Sequence, residues 1–224
     1  FNHGGFEGVD INSWMINLAK EGYVVLASAY RGENSPAGSS EGNVEGAKGE
    51  VVDVLNLLEC GKTLPFVDPE KIGMIGTSHG GWITLLASER SKEIDTAIDL
   101  FGPSDILTMS LIRKLVEDLS NDKKGALLQK IIEGFPWLVE LVEPLRELKK
   151  GELDFKSFRE ELIARSPLYF ADRIEAPLLI MHGDQDKVVD VEQSQKMADE
   201  LQGLGKTFEP VSYTHLRAHE TVLD

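Results

Sequence analysis

Residues 72–82 read Ile-Gly-Met-Ile-Gly-Thr-Ser-His-Gly-Gly-Trp, so Ser78 stands between Gly76 and Gly80 in a Gly-x-Ser-x-Gly arrangement. A serine hydroxyl becomes a nucleophile when it is exposed at a fixed point beside a base. A sharp turn from a strand into a helix provides that point. The turn strains the backbone at the serine, and glycines two residues to either side remove side chains that would collide with the adjoining strand and helix. The helix that starts after the serine aims N–H groups at the place where negative charge develops. The context agrees, because an apolar run, Lys71–Ile75, precedes Ser78 and a helical stretch, Gly80–Ser88, follows it. A glycine-rich turn that binds nothing is the plainer alternative.

Two further pieces could complete such a site. His3-Gly4-Gly5 near the start is a turn of the kind that presents backbone N–H donors to an oxyanion, with Gly4 and Gly5 letting the backbone approach the substrate oxygen. The N–H of His79, the residue after the nucleophile, is the second donor of that arrangement. An ordinary turn is the alternative for the first piece. The other piece follows the apolar run Pro177–Met181, where His182-Gly183-Asp184-Gln185-Asp186-Lys187-Val188-Val189 forms an acidic loop. An acid after such a strand orients a histidine and stabilises its imidazolium form. Asp184, Asp186 and Asp190 compete for that role, and a solvated acidic loop competes with all three. His182 precedes the acid and is expected to organise the strand end. In the order serine, acid, histidine, the base must follow the acid, which leaves His215 and His219.

The elements that must position these residues alternate between strand-like and helix-like stretches, which points to a parallel sheet covered by helices. Tyr23–Ala29 reads as a buried strand. Gly42–Leu58 reads as a helix with Val51, Val54, Leu55 and Leu58 on one face. Lys71–Ile75, Ala97–Leu100 and Pro177–Met181 read as strands, Val191–Leu204 as an amphipathic helix, and Lys206–Glu209 as the start of a further strand. Ile106–Ile163 breaks the alternation with Leu, Glu and Lys at helical spacing, so several helices are inserted between two strands. Such an insertion would sit over the strand ends, where open α/β sheets bind ligands. A lid is the functional reading of residues 106–163, and a decoration away from substrate is the other. The apolar run Phe135–Val142 is expected to be core.

Composition narrows the classes. The chain has 224 residues, 42% apolar, enough for one buried core. Its 23 Lys and Arg against 38 Asp and Glu give a formal net charge of −15, which repels phosphate backbones and anionic membrane surfaces. The single cysteine, Cys60, excludes an internal disulfide and cysteine-rich metal sites, and it is expected to be a partly buried small hydrophobe. No apolar run reaches transmembrane length. The expected partners are a small molecule or short peptide, with no nucleic acid and no membrane; no cofactor and no metal are implied. A cytoplasmic location is the expectation, and oligomeric state is open.

The residues resemble the catalytic domain of the prolyl oligopeptidase family, an α/β-hydrolase family of serine peptidases that includes dipeptidyl and acylaminoacyl peptidases. Four pieces carry the resemblance: Asn2-His3-Gly4-Gly5, Ala29-Tyr30-Arg31-Gly32, Gly76-Thr77-Ser78-His79-Gly80-Gly81, and Ser166-Pro167 leading to His182–Val189. It implies an α/β-hydrolase domain over residues 1–209, a mostly parallel doubly wound sheet truncated at both ends. It also implies Ser78 as nucleophile, Asp186 as the acid (the fourth residue after the histidine of the His-Gly pair), and a histidine some thirty residues later. His219 lies 33 residues after Asp186 and fits that spacing. The family commonly has tyrosine after the nucleophile where this chain has His79. Related carboxylesterases and dienelactone-hydrolase-like enzymes share much of the pattern, and a non-catalytic scaffold of the same fold is a third reading.

The end of the chain resembles something else. Val211–Thr221, VSYTHLRAHET, is similar over eleven consecutive residues to the translation of a transposase-type DNA sequencing adapter. That similarity implies a non-native tail at 210–224, a native sequence that departs near Glu209, and a chain as written that lacks its evolved base.

Overall fold

The computed structural model describes every residue except 6–7, 36–37, 121–132, 134 and 214–224. After helix α1 (Ser13–Lys20), a short hairpin pairs β1 (Asn34–Ser35) with β2 (Gly38–Ser39), and helix α2 (Gly49–Lys62) follows. The main sheet then builds in chain order. Strands β3 (Gly73–Thr77), β4 (Thr96–Leu100), β5 (Leu178–Gly183) and β6 (Phe208–Tyr213) lie side by side, all parallel. Their short apolar runs suit a sheet covered on both faces. Helix α3 (His79–Arg90) crosses from β3 to β4, and α7 (Glu192–Gly203) crosses from β5 to β6. Between β4 and β5 come α4 (Ser110–Ser120), α5 (Val139–Lys150) and α6 (Phe155–Ala164).

The expected α/β architecture and helical insertion are present, and the strands near Ser78 fall within a few residues of their expected places. β6 crosses residue 209 and pairs Pro210 with Ile180 at the sheet edge, a position where a strand tolerates proline.

Three local expectations need correction. Tyr23–Ala29 forms no ladder and is not buried at its start: Tyr23 is 66% exposed and Val24 46%. Its described neighbour is the brief Phe1-Asn2 segment, where the Phe1 amino group donates to the Leu26 carbonyl at 2.8 Å, and one such bond does not make a strand pair. Helix α2 starts at Gly49 rather than Gly42. Ala47 takes a left-handed turn (φ 61°), and the Glu50 carboxylate accepts the Glu45 and Gly46 N–H groups, which fixes the preceding loop in a non-helical path. The expected face of α2 is the buried one, with Val51, Val54 and Leu58 in the core and Leu55 packed on it. Cys60 is exposed instead of partly buried. It lies two positions past Leu58, hence on the opposite side of the helix.

Helix α3 is buried from His79 to Glu89, as a helix at the centre of the molecule must be. The insertion joins the same core. Trp137, Leu138, Leu141 and Val142 are buried, so the run Phe135–Val142 is core apart from exposed positions such as Val139. The Trp137 ring meets Trp82 of α3 edge-on, with centroids 5.2 Å apart, and the Trp82 indole N–H donates to the Arg165 carbonyl at 2.6 Å. The insertion is therefore anchored to the helix that follows Ser78.

Among the described residues, no helix is long and apolar enough to cross a membrane. Truncating Trp137 to alanine should lower unfolding free energy by about 3–5 kcal/mol, as for other buried large aromatics. Urea denaturation measures it, and a loss well below 1 kcal/mol would show that the insertion is not anchored there.

Candidate active site

Ser78 sits between β3 and α3 with φ 52° and ψ −116°, a conformation that a residue with a side chain rarely holds. Such strain costs about 1–3 kcal/mol and persists only where the surroundings impose it. The surroundings here are backbone. A Cβ at Gly76 would lie 2.0 Å from the Gly80 carbonyl oxygen, and one at Gly80 would lie 2.0 Å from that of Asn2. The Ser78 N–H donates to the Leu100 carbonyl at 2.8 Å, and the Trp82 N–H returns to the Ser78 carbonyl at 3.0 Å. The turn is thus pinned to the next strand on one side and to its own helix on the other. The serine side chain is left half-buried at the carboxyl end of the sheet.

The His3-Gly4-Gly5 loop lies against this turn. Asn2 bridges to Gly76 in parallel, donating its N–H to the Ile75 carbonyl at 2.7 Å and accepting from Thr77 at 3.1 Å. The chain leaving that bridge puts Gly4 beside Ser78, where a Cβ would stand 3.3 Å from the Ser78 Cβ. His79 closes the contact from the helix side. The Gly5 carbonyl can only accept, so the imidazole Nδ1–H of His79 donates to it, at 3.3 Å. Burial drives the His79 imidazole down to about 3, reinforced by His3 and opposed by the Gly5 bond, so it is neutral at physiological pH. Gly4, Gly5, Ser78 and His79 are therefore brought together.

Tyr30 and Glu33 also support the loop, and sequence reading gave them no role. His3 stacks on Tyr30 with centroids 4.2 Å apart, its Nε2 lies 3.1 Å from the Glu33 carboxylate, and the Tyr30 hydroxyl donates to the His3 carbonyl at 3.3 Å. The signal available was Ala29-Tyr30-Arg31-Gly32, which the family resemblance marks as a piece without saying what it touches.

Asp186 stands at the same end of the sheet, in the loop after β5, two strands from β3. At about 4.8 Å per strand the two loops are roughly 10 Å apart along the sheet, room for an imidazole between the side chains. Asp186 Oδ1 accepts from the N–H groups of Val188 at 2.8 Å and Val189 at 3.0 Å. Oδ2 has no aligned hydrogen-bond partner among the described residues and lies 3.6 Å from His182 Nε2. Burial pushes this carboxyl up, but the facing His182 and the two N–H donors outweigh it and hold it below the ordinary carboxylate range. Asp184 is exposed, and Asp190 caps the next helix through its carbonyl, which accepts the Gln193 N–H at 2.9 Å. The candidate bases His215 and His219 lie outside the described residues. No group of three or more His, Cys, Asp or Glu side chains among the described residues could hold a metal ion.

Comparison with known proteins gives two family matches. The X-Pro dipeptidyl-peptidase (S15) family matches residues 5–130, and the prolyl oligopeptidase family matches residues 144–219. The chain is 26% identical to dipeptidyl peptidase family member 6 of Caenorhabditis elegans, over 95% of this chain and 25% of that protein. It superposes on the acylaminoacyl peptidase of Pyrococcus horikoshii with a TM-score of 0.72 at 24% identity, covering 99% of this chain and 33% of the other. Acetyl xylan esterase 1 of Thermoanaerobacterium sp. JW/SL YS485 shares the fold, with a TM-score of 0.68 at 16% identity over 96% of this chain and 67% of that one. The chain thus spans a quarter to a third of the length of the two peptidases it resembles.

The buried neutral His79 has a consequence for stability. Its folded pKa lies below its unfolded one, so between pH 6.5 and about 3 the unfolded chain binds a proton that the folded one refuses. Its contribution is therefore complete above pH 6.5 and is lost as pH falls, by at most about 1.4 kcal/mol per pH unit. In urea denaturation at pH 7 and pH 5, His79→Phe should lose about 1–2 kcal/mol less between the two pH values than the unmodified protein. Equal losses would show that His79 is not held neutral by burial.

Proposed function

We infer the reaction from one premise: the chain belongs to the X-Pro dipeptidyl-peptidase (S15) family, matched over residues 5–130, and its second half matches the prolyl oligopeptidase family over residues 144–219. The proposed reaction is hydrolytic acyl transfer, with a short peptide as substrate. Ser78 Oγ attacks the scissile carbonyl while a histidine takes its proton, and Asp186 orients that histidine and stabilises its charged form. The N–H groups of His79 and of the Gly4–Gly5 loop hold the oxyanion. The histidine then protonates the leaving amine, and water, activated by the same base, releases the acyl group from Ser78. The observation that carries this reading is the strained φ of Ser78, imposed by side-chain-free contacts at Gly76 and Gly80.

The base is proposed to come from the chain after β6, since that strand lies next to β5 and its end faces the Asp186 loop. His219 is the candidate in this sequence. The adapter-like character of 210–224 supports a second proposal, that this stretch is not native and that the evolved histidine belongs to the true continuation after Glu209. β6 does not decide between them, because its ladder at 210–213 is made by backbone groups. The insertion at 106–163 is proposed as a lid, supported by its place in the chain between β4 and β5, whose carboxyl ends lie where open α/β sheets bind ligands. A cytoplasmic location is also proposed, supported by the single cysteine.

Aminoacyl p-nitroanilides should be turned over by the chain as given if His219 is the base, and otherwise by one carrying the continuation read from source DNA, with Ser78→Ala lowering kcat about 10⁶-fold and Asp186→Asn about 10⁴-fold. Turnover of p-nitrophenyl esters without anilides would replace the peptidase reading by an esterase. His219→Ala should abolish turnover if His219 is the base. Reading the gene past the codon for Glu209 from its source DNA decides the tail: a different continuation carrying a histidine makes 210–224 non-native, and the same codons make it native.

A further inference from the structure

His182 is buried behind the acid loop and both of its ring nitrogens are engaged. Nε2 faces the Val189 carbonyl at 3.0 Å, with the Asp186 carboxylate at 3.6 Å. A carbonyl only accepts, so Nε2 carries the proton, and in the neutral ring Nδ1 must then accept. The partner at Nδ1 is the Ser194 hydroxyl, 2.7 Å away, which donates. Ser194 is itself in a rigid place, in the first turn of α7. Its neighbour Gln193 is tied to the chain after β4, the side-chain oxygen accepting from Ser104 N–H at 3.0 Å and Asp105 N–H at 2.7 Å.

We propose that Ser194 and His182 are positioning residues for the acid: the Ser194 hydroxyl fixes the tautomer of His182, and the His182 Nε2–H holds Val189 and faces Asp186 Oδ2. Nothing in the resemblance or in the family matches gives Ser194 a role. The arrangement determines how Asp186 is presented. Oδ1 is fully used by Val188 and Val189, and Oδ2 is left as the acceptor for the triad histidine. A second histidine proton beside Oδ2 sets the direction in which that oxygen points. The carboxyls that act on His182 are Asp186 from its own loop and Asp99 from β4. Asp99 is pushed up to about 7 by burial, against the pull of the Gly102 N–H and His182, so near neutrality it competes only in part with Asp186.

This inference rests on the hydrolase reading above and deepens its acid site. The test measures kcat, KM and the pH dependence of kcat/KM on an aminoacyl anilide, normalised to folded protein by circular dichroism. Ser194→Ala should lower kcat about tenfold, the range seen for partners that orient a functional ligand, with KM within about twofold. It should also move the acid limb of kcat/KM to lower pH, because a misaligned Asp186 stabilises the charged triad histidine less. His182→Gln keeps an N–H toward Val189 and should retain more activity than His182→Phe. Unchanged kcat and acid limb in Ser194→Ala, or equal activity of folded His182→Gln and His182→Phe, would overturn the proposal. If His182→Phe does not fold, the Ser194→Ala pH profile decides alone. All variants are compared in whichever chain turns over, the one as given or the one carrying the continuation read from source DNA; no turnover by either would overturn the hydrolase reading instead.

Discussion

Three stretches of backbone meet at Gly76, Gly80 and Asn2 so closely that only hydrogen fits between them. The left-handed Ser78, the start of α3 and the path of the His3-Gly4-Gly5 loop all follow from that contact. The loop is not placed independently of Ser78. Asn2 must lie beside Gly76 for its ladder bonds to form, and its side-chain amide donates to Thr84 Oγ1 at 2.8 Å while that hydroxyl donates to the Gly80 carbonyl at 2.8 Å. One steric constraint therefore brings Ser78 and the Gly4–Gly5 loop to the same point.

The electrostatics around that point are sorted by burial and by donors. His79 and Asp99 are both fully enclosed, and burial works against charge on each. Asp186 is also enclosed at its carboxylate, yet two backbone N–H groups and a facing imidazole keep it ionised. A buried carboxylate survives only with such partners. The result is a dependable negative charge at the sheet end in Asp186, while burial pushes Asp99, one strand away, up to about 7.

The parts legible in the sequence are those set by local sterics and period. Gly-x-Ser-x-Gly was readable because a turn this tight excludes side chains at fixed spacing. β4 and β5 were readable as short apolar runs, and His182 was correctly expected to organise the strand end. Tyr23–Ala29 misled because an apolar run says nothing about whether a partner strand lies beside it. The start of α2 misled because the Glu50 carboxylate overrides helical periodicity by capturing the loop N–H groups. Tyr30, Glu33 and Ser194 went unread as parts of the site because their contacts are made across the fold. Only Tyr30 carried a signal, in the stretch Ala29-Tyr30-Arg31-Gly32, and that stretch does not say what it touches.

The central claim is that Ser78 is an activated nucleophile. A fluorophosphonate probe tests it without a choice of substrate, since it reacts with a serine that has a working base and oxyanion donors. The account predicts one phosphonylated site, found by peptide mass mapping at Ser78, absent from Ser78→Ala and slowed in Asp186→Asn. A protein that folds but takes up no probe at Ser78, in the chain as given and in one carrying the continuation read from source DNA, would contradict it.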